Sequence, residues 1–179
     1  ATTGARNFNG GSLKALPTAP DSSALAAGEF SLGLYYNNQV LDGAGANNAY
    51  RQELPDPVTK CTWMNYAVLS PATARELKLK QGADDEEKTQ YGKLELPVHL
   101  QPGIHPQALL IALGYGREAG GQTADCVGAN ALALAGTGSD SFTFSGIKAT
   151  VTPTGDRIEI PNTQTIYRHG FNTEDRAFF

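Results

Sequence analysis

Glycine and proline interrupt this chain so often that long regular helices are disfavoured. Its 179 residues include 20 glycines and 10 prolines, and only 18% of them are charged. Glycine supplies turn conformations and proline ends regular segments, so we expect many short elements within one domain. The segment 94–100 alternates cleanly, with Leu94, Leu96, Val98 and Leu100 on one face and Glu95 and His99 on the other. The sequence therefore predicts a mainly β domain.

Turn residues divide the chain into short strands and one well-signalled helix. Ser70 is followed by Pro71, an N-cap before proline at the first helical position, so a helix is predicted from Pro71 to about Lys78. A shorter helix is predicted at 24–27. Residues 114–130 are rich in glycine and are expected to form a long loop. Strands are predicted at 30–36, 61–69, 94–100 (paired with 86–88 in a hairpin) and 108–114. The segment 142–151 is predicted to be a strand pair or a bulged strand.

Three regions follow from this pattern. Residues 1–28 are rich in small residues and proline and are expected to be a linker or extended arm. Residues 29–152 hold the strands. Residues 153–179 are expected to be a polar tail that leads toward a missing next domain. We interpret both ends as cuts from a longer chain.

Charge and motif content exclude several functions. The net charge is −4 and the basic residues are scattered, so we expect no nucleic-acid partner. No apolar stretch approaches the roughly 18 residues that span a bilayer, so no direct membrane insertion is expected. The G-x-S-x-G, H-E-x-x-H and phosphate-loop patterns are absent. No catalytic residue is therefore predicted.

Cysteine and histidine do not suggest a metal site. The two cysteines, Cys61 and Cys126, are too few for an iron–sulfur cluster. They are interpreted as two unpaired, half-buried thiols, and a disulfide between them stays open. His99, His105 and His169 fall in different elements, so no metal ligands are predicted.

The acidic run 84–87 falls where a strand is expected. Four adjacent carboxylates cannot all be buried without a large desolvation cost. The run is therefore interpreted as a solvated face, on an exposed edge strand or in a strand of altered register.

The ordered motifs resemble the molybdopterin-dinucleotide-binding domain found at the C-terminus of molybdopterin oxidoreductases. Asn47-Asn48 precedes Glu53-Leu54-Pro55-Asp56-Pro57, the capped helix 69–82 follows, and the hairpin segment 91–98 and the segment 127–132 complete the set. The resemblance covers roughly residues 30–134. It implies a six-stranded double-psi β-barrel with one or two short helices and long glycine-rich loops.

The same resemblance suggests cofactor-binding positions. If a pterin is bound, Asn48 and Asn130 would offer amide donors and acceptors, Gly114, Gly116 and Gly128 would allow close backbone approach, and Arg117 would meet a phosphate. The alternative is that these are ordinary turn residues and a surface arginine.

Within the family, the segments 63–67, 112–117 and 127–131 are most similar to the iron–sulfur subunit of alternative complex III, the quinol:cytochrome c oxidoreductase. That resemblance implies a non-catalytic domain in a periplasmic, membrane-associated respiratory complex. It implies contacts with neighbouring domains and subunits, loss of the molybdopterin dinucleotide, and iron–sulfur clusters outside this segment. Two alternatives remain: a cofactor-binding domain of a molybdenum or tungsten oxidoreductase, and a β-barrel module that binds a small ligand.

Overall fold

The computed structural model describes residues 25–137 and 141–164. Their elements are short, as the spacing of turn residues predicts. No helix in these ranges is long and apolar enough to cross a membrane. The elements in chain order are β1 (Glu29–Tyr35), α1 (Ala49–Glu53), β2 (Ala67–Leu69), α2 (Pro71–Leu77), β3 (Ala83–Thr89), β4 (Lys93–Leu100), β5 (Ala108–Ala112), a 3₁₀ turn (Ala131–Leu134), β6 (Gly136–Thr137), β7 (Phe142–Thr143) and β8 (Ile147–Arg157).

Six strands close into a barrel in the order β1-β5-β2-β4-β3-β8, while β6 and β7 form a separate two-stranded sheet. The consecutive strands β1 and β2 are separated by β5, and the consecutive strands β4 and β5 are separated by β2. The pairs β1–β5 and β2–β4 are parallel, and the other barrel pairs are antiparallel. These two interlocked crossings are those of a double-psi barrel, so the predicted fold class is confirmed.

The core lies inside the barrel because alternate residues of each strand point inward. On β1 the buried residues are Phe30, Leu32 and Leu34, and on β8 they are Ile147, Ala149 and Val151. Burying each large aliphatic side chain contributes roughly 1.5–3 kcal/mol. The predicted hairpin is confirmed as β3 and β4, although His99, on the polar face of that pattern, is fully buried.

The capped helix is confirmed as α2. The Thr73 amide donates to Ser70 Oγ at 3.0 Å, and Lys78 ends the helix in the left-handed conformation at φ +59°. Helix α1 was not predicted. The helix predicted at 24–27 is wrong over its described residues 25–27, which are irregular or in a turn.

The strand predicted at 61–69 is wrong over its first half, because only Ala67–Leu69 is a strand. Lys60 and Trp63 adopt positive φ angles of +61° and +67°, which a strand does not allow. Residue 61 instead forms an isolated bridge with Asn162. Composition alone did not reveal this break.

The acidic run lies in β3, which is not an edge strand. It pairs with β4 on one side and β8 on the other, and its register with β8 shifts between Ala83 and Asp85. The altered register is therefore the correct alternative, and the exposed edge is wrong. Glu87 is fully buried, so it does not belong to a solvated face.

Strand β8 continues through the boundary predicted at residue 152 and ends at Arg157. Most of the predicted arm 1–28, and the part of the predicted tail after residue 164, lie outside the described residues.

Candidate functional site

Parallel pairing brings two loops together at one rim of the barrel. Because β1 and β5 run in the same direction, the segments that follow them leave the barrel at the same edge. The Leu113 amide donates to the Tyr35 carbonyl at 2.8 Å, which holds the two exits side by side. The loops 36–48 and 113–130 therefore form one wall of the rim.

A cleft of about 430 Å³ opens between these loops and the β6–β7 sheet, and we call it the rim cleft. Tyr36, Phe142 and Phe144 give it an aromatic side. The rings of Tyr36 and Phe144 meet edge to face at 6.2 Å, and those of Phe142 and Phe144 are nearly parallel at 6.2 Å. Its polar side holds Asp42, Gly114, Gly116, Arg117 and Asn130.

Four of the six predicted cofactor-binding residues therefore meet at one cleft: Gly114, Gly116, Arg117 and Asn130. The other two, Asn48 and Gly128, do not line it. Asn48 caps α1, with its Oδ1 accepting from the Tyr50 amide at 3.1 Å. Asn130 caps the 3₁₀ turn in the same way, accepting from the Leu132 amide at 3.2 Å. Both side-chain oxygens thus serve as helix caps.

Arg117 is held by its own loops. Its Nη1 donates to the Gly114 carbonyl at 2.6 Å, and its Nη2 donates to the Asp42 carbonyl at 3.4 Å. A Cβ at Gly43 would lie 1.9 Å from Nη1, so a side chain there would displace the guanidinium from this position. Arg117 therefore joins the two rim loops, a contact that its sequence position does not reveal.

The predicted glycines allow close packing of the chain on itself. At Gly116, with φ +77°, an added Cβ would lie 2.2 Å from the Asn130 amide nitrogen. At Gly114, with φ +95°, it would lie 2.6 Å from the Leu41 carbonyl oxygen. At Gly128, with φ +63°, it would lie 2.4 Å from Asn65 Oδ1. Each of these backbones closely approaches another part of the chain, which accounts for glycine at all three positions.

Asn65 anchors the glycine-rich loop. It lies in the segment 63–67 that carries the family resemblance, but the sequence predicted no role for it. It is fully buried. Its Nδ2 donates to the Ala112 and Ala129 carbonyls at 3.0 and 2.8 Å, and its Oδ1 accepts from the Ala129 amide at 2.9 Å. No sequence pattern reports such a contact, because the partners are 47 and 64 residues away.

A second buried network fixes the other rim loop. Asn37 Nδ2 donates to Gln39 Oε1 at 2.7 Å and to the Tyr115 hydroxyl at 2.9 Å. That hydroxyl donates to Gln39 Oε1 at 2.8 Å. Burial raises the pKa of Tyr115 to about 12, so its hydroxyl stays a donor. The rim is therefore rigidly built from paired amides rather than from charges.

The rim cleft does not fit a diphosphate ester well. Proteins usually bind phosphate groups through several cationic side chains or through backbone N–H groups that have no other acceptor. Arg117 is the only cation among the residues that line the cleft, and it already binds two carbonyls. Asp42 places a carboxylate on the same lining, which repels an anion. The aromatic side instead suits a flat or apolar group.

The fold also brings together Cys61 and His99, which sequence reasoning treated separately. Both are fully buried, and Sγ lies 3.4 Å from Nδ1. Gln81 Nε2 donates to the same Nδ1 at 2.9 Å. Burial raises the pKa of the Cys61 thiol to about 11 and lowers the pKa of His99 to about 4. A neutral, enclosed thiol–imidazole pair is structural, because a nucleophile needs the thiolate and access.

Both cysteines are free thiols, but the half-buried setting predicted for them is wrong, because Cys61 is buried and Cys126 is exposed. In the part of the chain that the structure describes, no group of three or more histidine, cysteine, aspartate or glutamate side chains is arranged to hold a metal ion. His105 lies in a loop, where its Nδ1 accepts from the Gln107 amide at 3.1 Å, and His169 lies outside the described residues.

Comparison with known proteins agrees with the fold. No family model and no curated protein match the sequence. Among solved structures, the chain is similar to acetylene hydratase from Pelobacter acetylenicus, with a TM-score of 0.52 and 16% identity over 69% of this chain. At this identity the likeness shows a shared fold, and the match spans only 18% of the hydratase chain.

Proposed function

We propose that this chain is a non-catalytic domain of a redox-complex subunit related to the molybdopterin oxidoreductases. In this role it keeps the double-psi barrel, has lost the molybdopterin dinucleotide, and holds neighbouring domains and subunits at fixed positions. The expected relative is the iron–sulfur subunit of alternative complex III, in a periplasmic complex attached to the membrane. The iron–sulfur clusters of such a subunit would lie outside this segment.

The observation that carries the proposal is the state of Arg117. A guanidinium that must bind a phosphate needs its N–H groups directed at the ligand. Here it joins the carbonyls of Gly114 and Asp42, and the caps use the Asn48 and Asn130 oxygens. The predicted binding groups thus support the loops, as expected for a fold retained without its cofactor.

The aromatic side of the rim cleft supports a scaffold role. Tyr36 and Phe142 are each more than half exposed, and Leu132 beside them is 39% exposed. A cluster of exposed apolar side chains at one rim is typical of a contact surface. We propose that this surface packs against the next domain of the parent polypeptide.

The direct test is the metal and pterin content of the full-length parent protein. We expect no stoichiometric molybdenum or tungsten by elemental analysis, and no fluorescence of oxidised pterin after acid release. A metal and pterin content near one per chain would overturn the proposal and favour a cofactor-binding domain. C-x-x-C-x-x-C runs in the parent sequence after Phe179 would support the redox-complex role. A parent chain without them would favour a ligand-binding module.

The contact surface is tested in the intact complex. Substituting both Tyr36 and Phe142 with serine should weaken association of the neighbouring domain, seen as increased protease sensitivity at the domain boundary. Tyr50→Ser is the matched control, because Tyr50 is 86% exposed and does not line the rim cleft. An unchanged cleavage rate in the double variant would contradict the proposed surface.

A further inference from the structure

A second cleft, of about 380 Å³, lies on the outer face of the barrel. Its walls include Val68 and Leu110, which alternate along their strands with the core residues Leu69, Leu109 and Ile111. Side chains that alternate with core residues point to the outer face of a strand. Val58 and Ile104 complete the apolar wall, and we call this the Asp56 cleft after its one charged residue.

Asp56 is buried at the edge of this apolar wall. Only 6% of its surface is exposed. One carboxylate oxygen, Oδ1, accepts from the amides of Val58 and Thr59 at 2.9 and 2.8 Å, which closes a turn at the lip of the cleft. Among the described residues, no lysine, arginine or histidine forms an ion pair with this carboxylate.

The other polar groups of the cleft are neutral. Burial raises the pKa of the Tyr35 hydroxyl well above its usual range, and the Asp56 charge adds to that rise, so Tyr35 stays protonated. Thr59 Oγ1 hydrogen-bonds to the Tyr66 hydroxyl. Hydroxyl groups can solvate the carboxylate but cannot neutralise it. A charge that is largely removed from water is stabilised most by an opposite charge.

We propose that the Asp56 cleft binds a basic side chain, arginine or lysine, of a neighbouring polypeptide. The cation pairs with the Asp56 carboxylate, and its aliphatic stem lies against Val58, Ile104 and Leu110. Arginine and lysine bury their methylene stems on apolar surfaces while the charged end keeps a polar partner. This pairing is independent of the proposed scaffold function, because the cleft is separate from the rim.

A titration of the full chain with n-butylguanidinium tests the chemistry of the cleft. We expect saturable methyl shifts of Val58, Ile104 and Leu110 in NMR spectra, and at least tenfold weaker binding of n-butanol and n-butyrate. Equal binding of butanol and butylguanidinium would overturn the proposal, since the carboxylate would then contribute nothing.

Two variants separate the charge from the apolar wall. Asp56→Asn keeps an oxygen acceptor for the Val58 and Thr59 amides, so the turn is retained, and it should weaken butylguanidinium binding at least tenfold. Asp156→Asn removes an exposed carboxylate that lines neither cleft and should leave binding unchanged. Leu110→Ala should weaken butylguanidinium binding more than methylguanidinium binding. Unaltered affinity in Asp56→Asn with an otherwise unchanged spectrum would overturn the proposal.

A peptide comparison tests the source of the cation. N-acetyl-Gly-Arg-Gly-amide should bind at the same methyl groups, while the citrulline analogue, which lacks the charge, should not. If butylguanidinium binds but the arginine peptide does not, the proposal of a polypeptide ligand is overturned in favour of a free small cation. Equal binding of both peptides would overturn the ion pair.

Discussion

Asn65 and Ala129 exchange two hydrogen bonds across 64 residues of chain. The amide Nδ2 donates to the Ala129 carbonyl at 2.8 Å, and the Ala129 amide donates back to Oδ1 at 2.9 Å. A third bond, to the Ala112 carbonyl at 3.0 Å, attaches the same side chain to the end of β5. One buried amide thus fixes where the glycine-rich loop lies over the barrel.

Replacing Asn65 with alanine should destabilise the domain substantially. The change leaves two carbonyls and one amide without their buried partner, so we expect a loss of roughly 2–4 kcal/mol in the free energy of unfolding. Urea denaturation followed by circular dichroism measures it. Asn38→Ala, at an exposed asparagine, is the control and should change stability by less than about 0.5 kcal/mol. A loss below about 1 kcal/mol in Asn65→Ala would show that water replaces these bonds.

Gly116→Ala should destabilise the domain more than Gly103→Ala, although the two glycines have similar backbone conformations, because Gly103 has open space around it. Both Gly116, with φ +77°, and Gly103, with φ +89°, disfavour a Cβ, but only Gly116 places it 2.2 Å from the Asn130 nitrogen. The left-handed conformation alone costs roughly 1–2 kcal/mol for alanine. Thermal unfolding of Gly103→Ala reports that strain, and the further loss in Gly116→Ala reports the clash. Equal losses in the two variants would show that the 3₁₀ turn moves aside freely.

Stability should fall as the pH drops from about 6.5 toward 4, because His99 is buried in its neutral form. Burial lowers its pKa to about 4 from the usual value of 6.5, so the unfolded chain binds more protons than the folded chain in this range. The contribution of neutral His99 is therefore complete above pH 6.5 and is lost on acidification, by at most about 3 kcal/mol.

The pH dependence can be assigned by substitution. The slope of unfolding free energy against pH between 4 and 6.5 should flatten in His99→Gln, and it should persist in His105→Gln, which changes an exposed loop histidine. The groups in contact with His99 are Cys61, Tyr66, Gln81 and Gln101, none of which titrates in this window, and the charge of Asp56 also acts on the ring. An unchanged slope in His99→Gln would assign the effect to carboxylates.

The two thiols should differ sharply in reactivity. Cys126 is exposed, while Cys61 is buried and its pKa is raised to about 11. At pH 8 a thiol reagent such as DTNB should modify one cysteine per folded chain rapidly and the second only after denaturation. The Cys126→Ser variant should show no rapid reaction. Two thiols that stay unreactive even after denaturation would indicate a disulfide instead.

Local chemistry accounts for the elements that sequence predicted well. Ser70 and Pro71 define the start of α2 through an N-cap and a fixed φ angle, which are properties of neighbouring residues. The alternation from Leu94 to Leu100 defines β4 for the same reason. Both signals act within a few residues, so no tertiary contact was needed to read them.

The sequence predictions were wrong where a residue distant in the chain determines the local conformation. The run 61–69 has the composition of a strand, yet the chain turns at Lys60 and Trp63. Two long-range hydrogen bonds hold this turn: the Thr62 amide donates to the Pro161 carbonyl, and the Thr163 amide donates to the Lys60 carbonyl. Glu87 was predicted to be a solvated acid, but it is buried because its strand, β3, pairs with β4 on one side and with β8 on the other. Four predicted site residues did meet at the rim, but the engagement of Arg117 by two carbonyls required both loops to be in place.

The amino-acid sequence by itself determined the short β elements, the capped helix and the glycines at which the rim loops turn, because propensity, capping and alternation are local. Only the tertiary structure decided the closed order of six strands, the buried Cys61–His99 pair and the apolar cleft around Asp56. Those features join residues that are far apart in the chain, and their free energy comes from desolvation and pairing that exist only after the barrel closes.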